Sequence, residues 1–215
     1  MIYWFKSNNK QFLILFMTKR LLSRYSVCKK LKNPYKNLWG LKKKDSCRSV
    51  LNRKKKRSTP FGKLLDIKQS LKLFYPNLRE NSFKRNIKLS LQSPSKTLDK
   101  LTSVVESRLD SVLFRSCFVT SFQEARQLVN HRFVIVNGIC ITSANKKIHK
   151  GDVIVIKNRF ITKDMFLAVI TSRSIPNYLE LDFKNLTIVF LWDTDFKNTY
   201  YPMKMKYSNI TRYYK

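Results

Sequence analysis

Within 25 residues this sequence places Arg108, Arg115, Arg126, Gln127, Asn130, His131 and Arg132. These groups donate hydrogen bonds. A guanidinium can fork onto two phosphate oxygens or stack on a base, and amides and imidazole can donate to phosphate or ribose. More cations stand at Lys146, Lys147 and Lys150, at Lys68 and Lys72, and in the run Lys54, Lys55, Lys56, Arg57. Together they suit a polyanion. Structural alternatives stand beside this reading: Arg108 can pair with Asp110 or Glu106 as a clamp, His131 can cap a helix end, and any arginine can simply face solvent. Catalysis has little to build on, because no Gly-rich phosphate loop, Ser/His/Asp grouping or metal-ligand cluster occurs. The chain is therefore not expected to be an enzyme or to carry a cofactor. Its four cysteines, Cys28, Cys47, Cys117 and Cys140, form no C-x-x-C pair and only two histidines accompany them, so neither zinc nor a disulfide framework is expected. Cys117 and Cys140 sit in apolar surroundings and are expected as small core residues.

The chain as a whole repeats the bias. It has 44 basic and 13 acidic residues in 215, a net charge of +31. That charge would strain a lone compact protein by self-repulsion, so RNA, DNA or an anionic membrane is the expected partner. Hydrophobic residues make up 43%, enough for a core in one or two domains. The 28 aromatics (15 Phe, 10 Tyr, 3 Trp) serve packing or base stacking. Lys (30) and Asn (16) are abundant and Ala (3) and Gly (4) scarce, the usage of AT-rich codons and a hint of an organellar or otherwise AT-rich genome. No membrane span is visible: FLILFM at 12–17 falls far short of the roughly 20 residues needed. Binding to a membrane surface through this start is a further class, testable by vesicle flotation. The first acidic residue is Asp45. The start reads either as a mitochondrial presequence or as an RNA-binding arm of a protein made inside the organelle.

Thr59-Pro60 opens a helix that Pro76 ends, with Leu64, Leu65, Ile67, Leu71, Leu73 and Phe74 as its apolar residues. A second basic helix covers about 80–91, and Ser93-Pro94-Ser95 is a hinge. A third is expected over about 99–117, with Val105, Leu109, Val112 and Leu113 inward and Arg108 and Arg115 sharing another face. A fourth starts at Thr120 or Ser121, since T-x-x-Q and S-x-x-E both fit a capping box. Phe122, Ala125, Leu128 and Val129 fall on one arc, opposite Arg126, Gln127, Asn130 and His131. Strands follow at 133–136, 139–141 and 152–156, the first two joined by Asn137-Gly138, a type I′ hairpin signal. After Ile175-Pro176 a hairpin is expected over about 178–182 and 187–192.

The run ESRLDSVLFRSCFVTSFQEARQLVNHRFVIVNG (106–138) with HKGDVIVI (149–156) resembles the small RNA-binding module named after ribosomal protein four of the small subunit. That module packs two helices on a short bent antiparallel sheet. Gly62, Lys68-Gln69, Leu71-Lys72 and Tyr75 are similar to the segment preceding the module in bacterial and organellar members, and PNYLELD (176–182) to the segment after it. The match is strong over 104–156, moderate over 58–90 and 176–192, and weak elsewhere. The sequence departs from the family in lacking the four-cysteine pattern of some members, in replacing the usual helix-linking glycine around Cys117-Phe118, and in its divergent tail.

The resemblance implies an α+β protein: a basic arm or presequence (1–44), a discontinuous, mostly helical domain (45–100 plus 174–215) with a C-terminal hairpin, and an inserted module (101–173). It implies that Arg108, Arg115, Arg126, Gln127, Asn130, His131 and Arg132, with the lysines above, contact small-subunit rRNA at a junction in its five-prime domain. It further implies roles in subunit assembly and translation near the mRNA entry, with ribosomal proteins three and five as neighbours, in the mitochondrion or else the plastid. The alternative is a free module of the heat-shock type acting on stalled ribosomes or tRNA. Reversing Arg108 and Arg126 to Glu is expected to weaken RNA binding and leave folding intact; unfolding would mark them as structural.

Overall fold

The computed structural model describes residues 59–75, 78–157, 173–201 and 208–214. The arm with Lys54, Lys55, Lys56 and Arg57 lies outside them, as do Cys28 and Cys47. The helices are α1 (Pro60–Phe74), α2 (Glu80–Gln92), α3 (Thr97–Glu106), α4 (Leu109–Arg115), α5 (Phe122–Asn130) and α6 (Ser208–Tyr214). The strands are β1 (Val134–Val136), β2 (Ile139–Cys140), β3 (Val153–Ile156), β4 (Leu179–Asp182) and β5 (Thr187–Phe190). The chain is α+β.

Local chemistry sets most boundaries. The Thr59 hydroxyl accepts from the Gly62 N–H at 3.1 Å, and Pro60 takes the first turn, where its missing N–H costs nothing. Tyr75, ahead of Pro76, is extended, as a residue before proline prefers. Ser121 caps α5 by accepting from the Glu124 N–H, and the Glu124 carboxylate reaches back to the N–H and hydroxyl of Thr120. Asn137 and Gly138 take φ of 51° and 81°, the positive pair a type I′ turn requires.

The single helix expected over 99–117 is in fact two. Ser107 and Arg108 leave the helical path, and Arg108 becomes the extended residue ahead of α4. The backbone there turns to the loop after β2: Leu109 N–H donates to Lys146 O (2.9 Å), Asp110 N–H to Ala144 O (3.1 Å) and Ile148 N–H to Ser107 O (2.7 Å). The break puts Arg108 and Arg115 on different surfaces. The helix-linking turn after α4 has Cys117 at φ 63°, the left-handed conformation that glycine adopts most easily.

All five strands form one antiparallel sheet in the order β2-β1-β3-β5-β4. The C-terminal hairpin, expected with the helical domain, pairs β5 with β3 and so extends the module's sheet. The inward residues alternate: Val134, Val136, Ile154, Ile156, Ile188 and Phe190 are buried. Cys117 is also buried, but Cys140 is exposed, because β2 is a two-residue edge strand with both side chains in solvent. The helices share the same core. Phe114 of α4 stacks on Phe122 of α5 at 4.0 Å, and Phe74 of α1 meets both rings edge-on at 6.1 and 5.6 Å.

Candidate nucleic-acid interface

Helix α5 builds the first part. Phe122, Ala125, Leu128 and Val129 are buried, which turns Gln127 and Asn130 to solvent and leaves Arg126 half-buried at the side. The helix closes with a Schellman pattern: Arg132 N–H donates to Val129 O (3.0 Å) and Phe133 N–H to Leu128 O (3.1 Å). Arg132 therefore sits at φ 63°, exposed. The backbone N–H of His131 caps by donating to Gln127 O, while its exposed ring lies nearly parallel to that of Phe133. His131 thus serves the helix end through its backbone and keeps its imidazole at the surface.

The break before α4 builds the second part. The Asp110 carboxylate, 2% exposed, accepts from Arg108 through Nε (3.0 Å) and Nη2 (2.5 Å), and from Arg126 Nη1 (3.4 Å). Both guanidiniums also donate to Asn145 Oδ1, at 2.8 and 3.2 Å. Two arginines 18 residues apart are held side by side by one carboxylate and one amide. Burial, and then the nearby Arg108, pull the Arg126 guanidinium below its ordinary pKa against the opposing effect of Asp110. Lys146 and Lys147, exposed on the same loop, flank the pair. Asn145 was missed in the sequence because SANKK reads as an ordinary polar loop; only the pairing of that loop with residues 107–110 brings it here. The geometry also changes the expectation for a double reversal to Glu: two new carboxylates would crowd buried Asp110 and folding would suffer, so unfolding of that variant no longer separates a structural role from an RNA contact.

Arg115 is elsewhere. Its side chain is 10% exposed and forks onto fully buried Glu106 at 2.6 and 3.1 Å, with Nη1 on Tyr200 O at 2.6 Å. Tyr75 and Tyr178 donate to the same carboxylate, and the Tyr75 hydroxyl meets that of Tyr201 at 3.0 Å. Burial, then the Glu106 charge, push the Tyr75 and Tyr178 hydroxyls well above their ordinary pKa. Burial works against the Arg115 cation, but Glu106 outweighs it and raises Arg115. This hub ties the end of α1, both halves of the broken helix, the C-terminal hairpin and the segment after it.

Lys68 and Lys72 also have partners. Both pair with Glu80, at 2.7 and 2.5 Å, and Lys68 lies over the ring of Tyr213 at 4.4 Å. Tyr214 donates to Glu80 at 2.6 Å, so these lysines dock α6 on α1 and α2. Exposed Lys150 stands 3.4 Å from Asp193. Among the described residues no cluster of three or more His, Cys, Asp or Glu could hold a metal, and no helix is long and apolar enough to cross a membrane.

Two helices on a short antiparallel sheet, with paired arginines on one carboxylate and exposed amides and lysines on α5 and the loop after β2, define a small basic module suited to a polyanion. Residues 107–154 match the family described as S4 domain. Over 206 residues the chain is 31% identical to small ribosomal subunit protein uS4 of Caulobacter vibrioides, covering 92% of this chain and 99% of that protein. The uS4 of Maricaulis maris is likewise 31% identical over 206 residues, with the same coverage of both chains. That of Rhodospirillum rubrum is 28% identical over 205 residues, again covering 92% of this chain and 99% of the relative. The chain belongs to the small ribosomal subunit protein uS4 family, whose members are structural proteins and not enzymes.

Proposed function

We propose that this protein is a structural constituent of the small ribosomal subunit of a mitochondrion and binds small-subunit rRNA. The observation that carries the reading is the Arg108–Arg126 pair fixed on Asp110, with exposed Gln127 and Asn130 on the same helix as Arg126, His131 and Arg132 at its end, and Lys146 and Lys147 beside Asn145. This face neutralises phosphates at a junction in the five-prime domain, and Lys150 and the basic run Lys54–Arg57 add their charge to the attraction. A-form RNA hides its major groove, so recognition is of shape, backbone and 2′-hydroxyls. Arg115 acts from behind as a strut, and Lys68 and Lys72 present their charge through the α1–α6 contact. The protein helps to assemble the subunit and lies near the mRNA entry, beside ribosomal proteins three and five. Alphaproteobacterial relatives at 28–31% identity, with a composition rich in Lys and Asn and poor in Ala and Gly, support the mitochondrial reading over the plastid one.

The test is filter binding of the full chain to small- and large-subunit rRNA over a salt series. With six to ten phosphate contacts, affinity falls roughly 10³–10⁵-fold between 50 and 200 mM salt. Lys146→Gln with Lys147→Gln, both exposed, is expected to make the log–log salt slope shallower by about two. Equal affinity for both rRNAs, or an unchanged slope, would count against this face.

A further inference from the structure

The loop carrying Asn145 is held to the break before α4 by backbone bonds on both sides of that residue, from Asp110 N–H to Ala144 O and from Leu109 N–H to Lys146 O. Ala144 and Ile148 are buried and anchor the loop further. Asn145 is therefore fixed in position while its side chain stays at the surface. The atom that receives Arg108 Nη2 and Arg126 Nη1 must be its carbonyl oxygen, because an amide nitrogen would set donor against donor. Its NH2 group then points away from the arginines, and among the described residues it has no acceptor.

Arg108 is arranged in a similar way. Its Nε faces Asp110, its Nη2 is shared between Asp110 and Asn145, and its Nη1, with two N–H groups, meets no acceptor among the described residues. Asp110 holds the arginines from below and is sealed from solvent. The two remaining donor groups thus belong to side chains bonded to each other at 2.8 Å over a buried carboxylate, with the Arg126 charge adjacent and Lys146 and Lys147 in the same loop. A tetrahedral oxyanion of a nucleic-acid backbone suits this arrangement, because it accepts several donors from one side.

We propose that Asn145 is itself an RNA contact, that its amide and the Arg108 guanidinium seat a single rRNA phosphate, and that Asp110 is the positioning residue beneath them. This deepens the reading given above and rests on it. The discriminating variant is Asn145→Asp. The new carboxylate holds the two guanidiniums at least as well as the amide oxygen did, so the fold is kept. It removes the outward donor and sets a negative charge against the phosphate. If Asn145 merely braced the arginines, Asp would keep the brace, its charge would weaken binding only as a general repulsion, and neither Asp nor Ala at this position would release a particular phosphate.

The experiment uses the full chain and a transcript of the cognate small-subunit rRNA, with filter binding over a salt series and phosphate ethylation interference. Asn145→Asp is expected to melt at or above the wild-type temperature and to bind about tenfold or more weakly, because a donor to a charged acceptor is lost. One phosphate whose ethylation blocks the wild type should cease to matter in this variant, and the same phosphate in Arg108→Lys. Asn145→Ala, which adds no charge, should release that phosphate too and gives the same reading if the Asp variant fails to fold. Wild-type affinity in the variant that folds, release of no particular phosphate, or different phosphates released at positions 108 and 145, overturns the seat. If the wild-type chain does not prefer small-subunit rRNA, the ribosomal reading and the seat fall together. If it does prefer it and Asn145→Asp is indistinguishable from it, the seat alone falls.

Discussion

Replacing Arg115 with Met separates a strut from an RNA contact. The guanidinium is bonded twice to Glu106 and once to Tyr200 O, and Glu106 is fully buried. Removing the cation leaves that carboxylate in the core with only the Tyr75 and Tyr178 hydroxyls to hold it. Breaking a buried pair from one side costs about 3–5 kcal/mol, because the remaining charge is neither solvated nor paired. That is a large share of the 5–15 kcal/mol typical of a folded domain. At roughly 2–4 °C per kcal/mol for a chain of this length, the melting temperature should drop by about 6–20 °C. Arg115→Lys keeps the charge but loses the fork, so it should melt between the two. The assay is thermal unfolding by circular dichroism, paired with RNA binding over a salt series at a temperature where both proteins are folded. The salt slope of Arg115→Met should equal that of the wild type, because the Arg115 guanidinium is taken up by Glu106 and Tyr200 O and is not free for a phosphate. A melting temperature for Arg115→Met within about 2 °C of wild type, together with a slope shallower by about one, would refute the reasoning.

Three further outcomes follow from the same geometry. Glu80 is held down to about 2 from its ordinary 4.5: its partial burial works against this, but Lys68, Lys72 and Tyr214 outweigh it. A depressed carboxylate stabilises the fold above its unfolded pKa and loses that contribution as pH falls, so docking of α6 should weaken from about pH 4.5 toward 2. Fluorescence of a probe at the C-terminus would report that loss, and a Glu80→Gln variant should show a flatter profile. Arg132→Gly should raise stability by about 0.5–1 kcal/mol in urea titrations, since glycine adopts φ 63° without strain, yet weaken RNA binding. Arg108→Glu with Arg126→Glu should lower the urea midpoint markedly, because three carboxylates would meet at a site where Asp110 is 2% exposed.

What the sequence revealed was local. The Thr59-Pro60 start, the Ser121–Glu124 cap, the two arcs of α5 and the Asn137-Gly138 turn depend on residues within four positions of one another, and the structure shows each of them. The break at Ser107–Arg108 was not legible, because the groups that draw the backbone out of the helix lie 36–41 residues downstream. Apolar spacing was right on both halves, which is why one continuous helix seemed to fit. The same distance hid the roles of the cations. Arg115 looks like Arg108 in sequence, yet its partners come from residues 106 and 200, and those of Lys68 from residues 80 and 213. Cys140 reads as core from its neighbours, but it lies on a two-residue strand that is the edge of the sheet among the described residues. Composition correctly foretold a polyanion; it could not tell which cations face outward.

The central claim is that this chain is built into a small ribosomal subunit. The direct measurement is a sucrose gradient of lysed mitochondria, with the subunits separated by removing magnesium at moderate salt and the protein followed by mass spectrometry. Stoichiometric co-migration with the small subunit is the predicted result. A signal confined to the top of the gradient, or to the large subunit, would contradict the account and favour a free RNA-binding module.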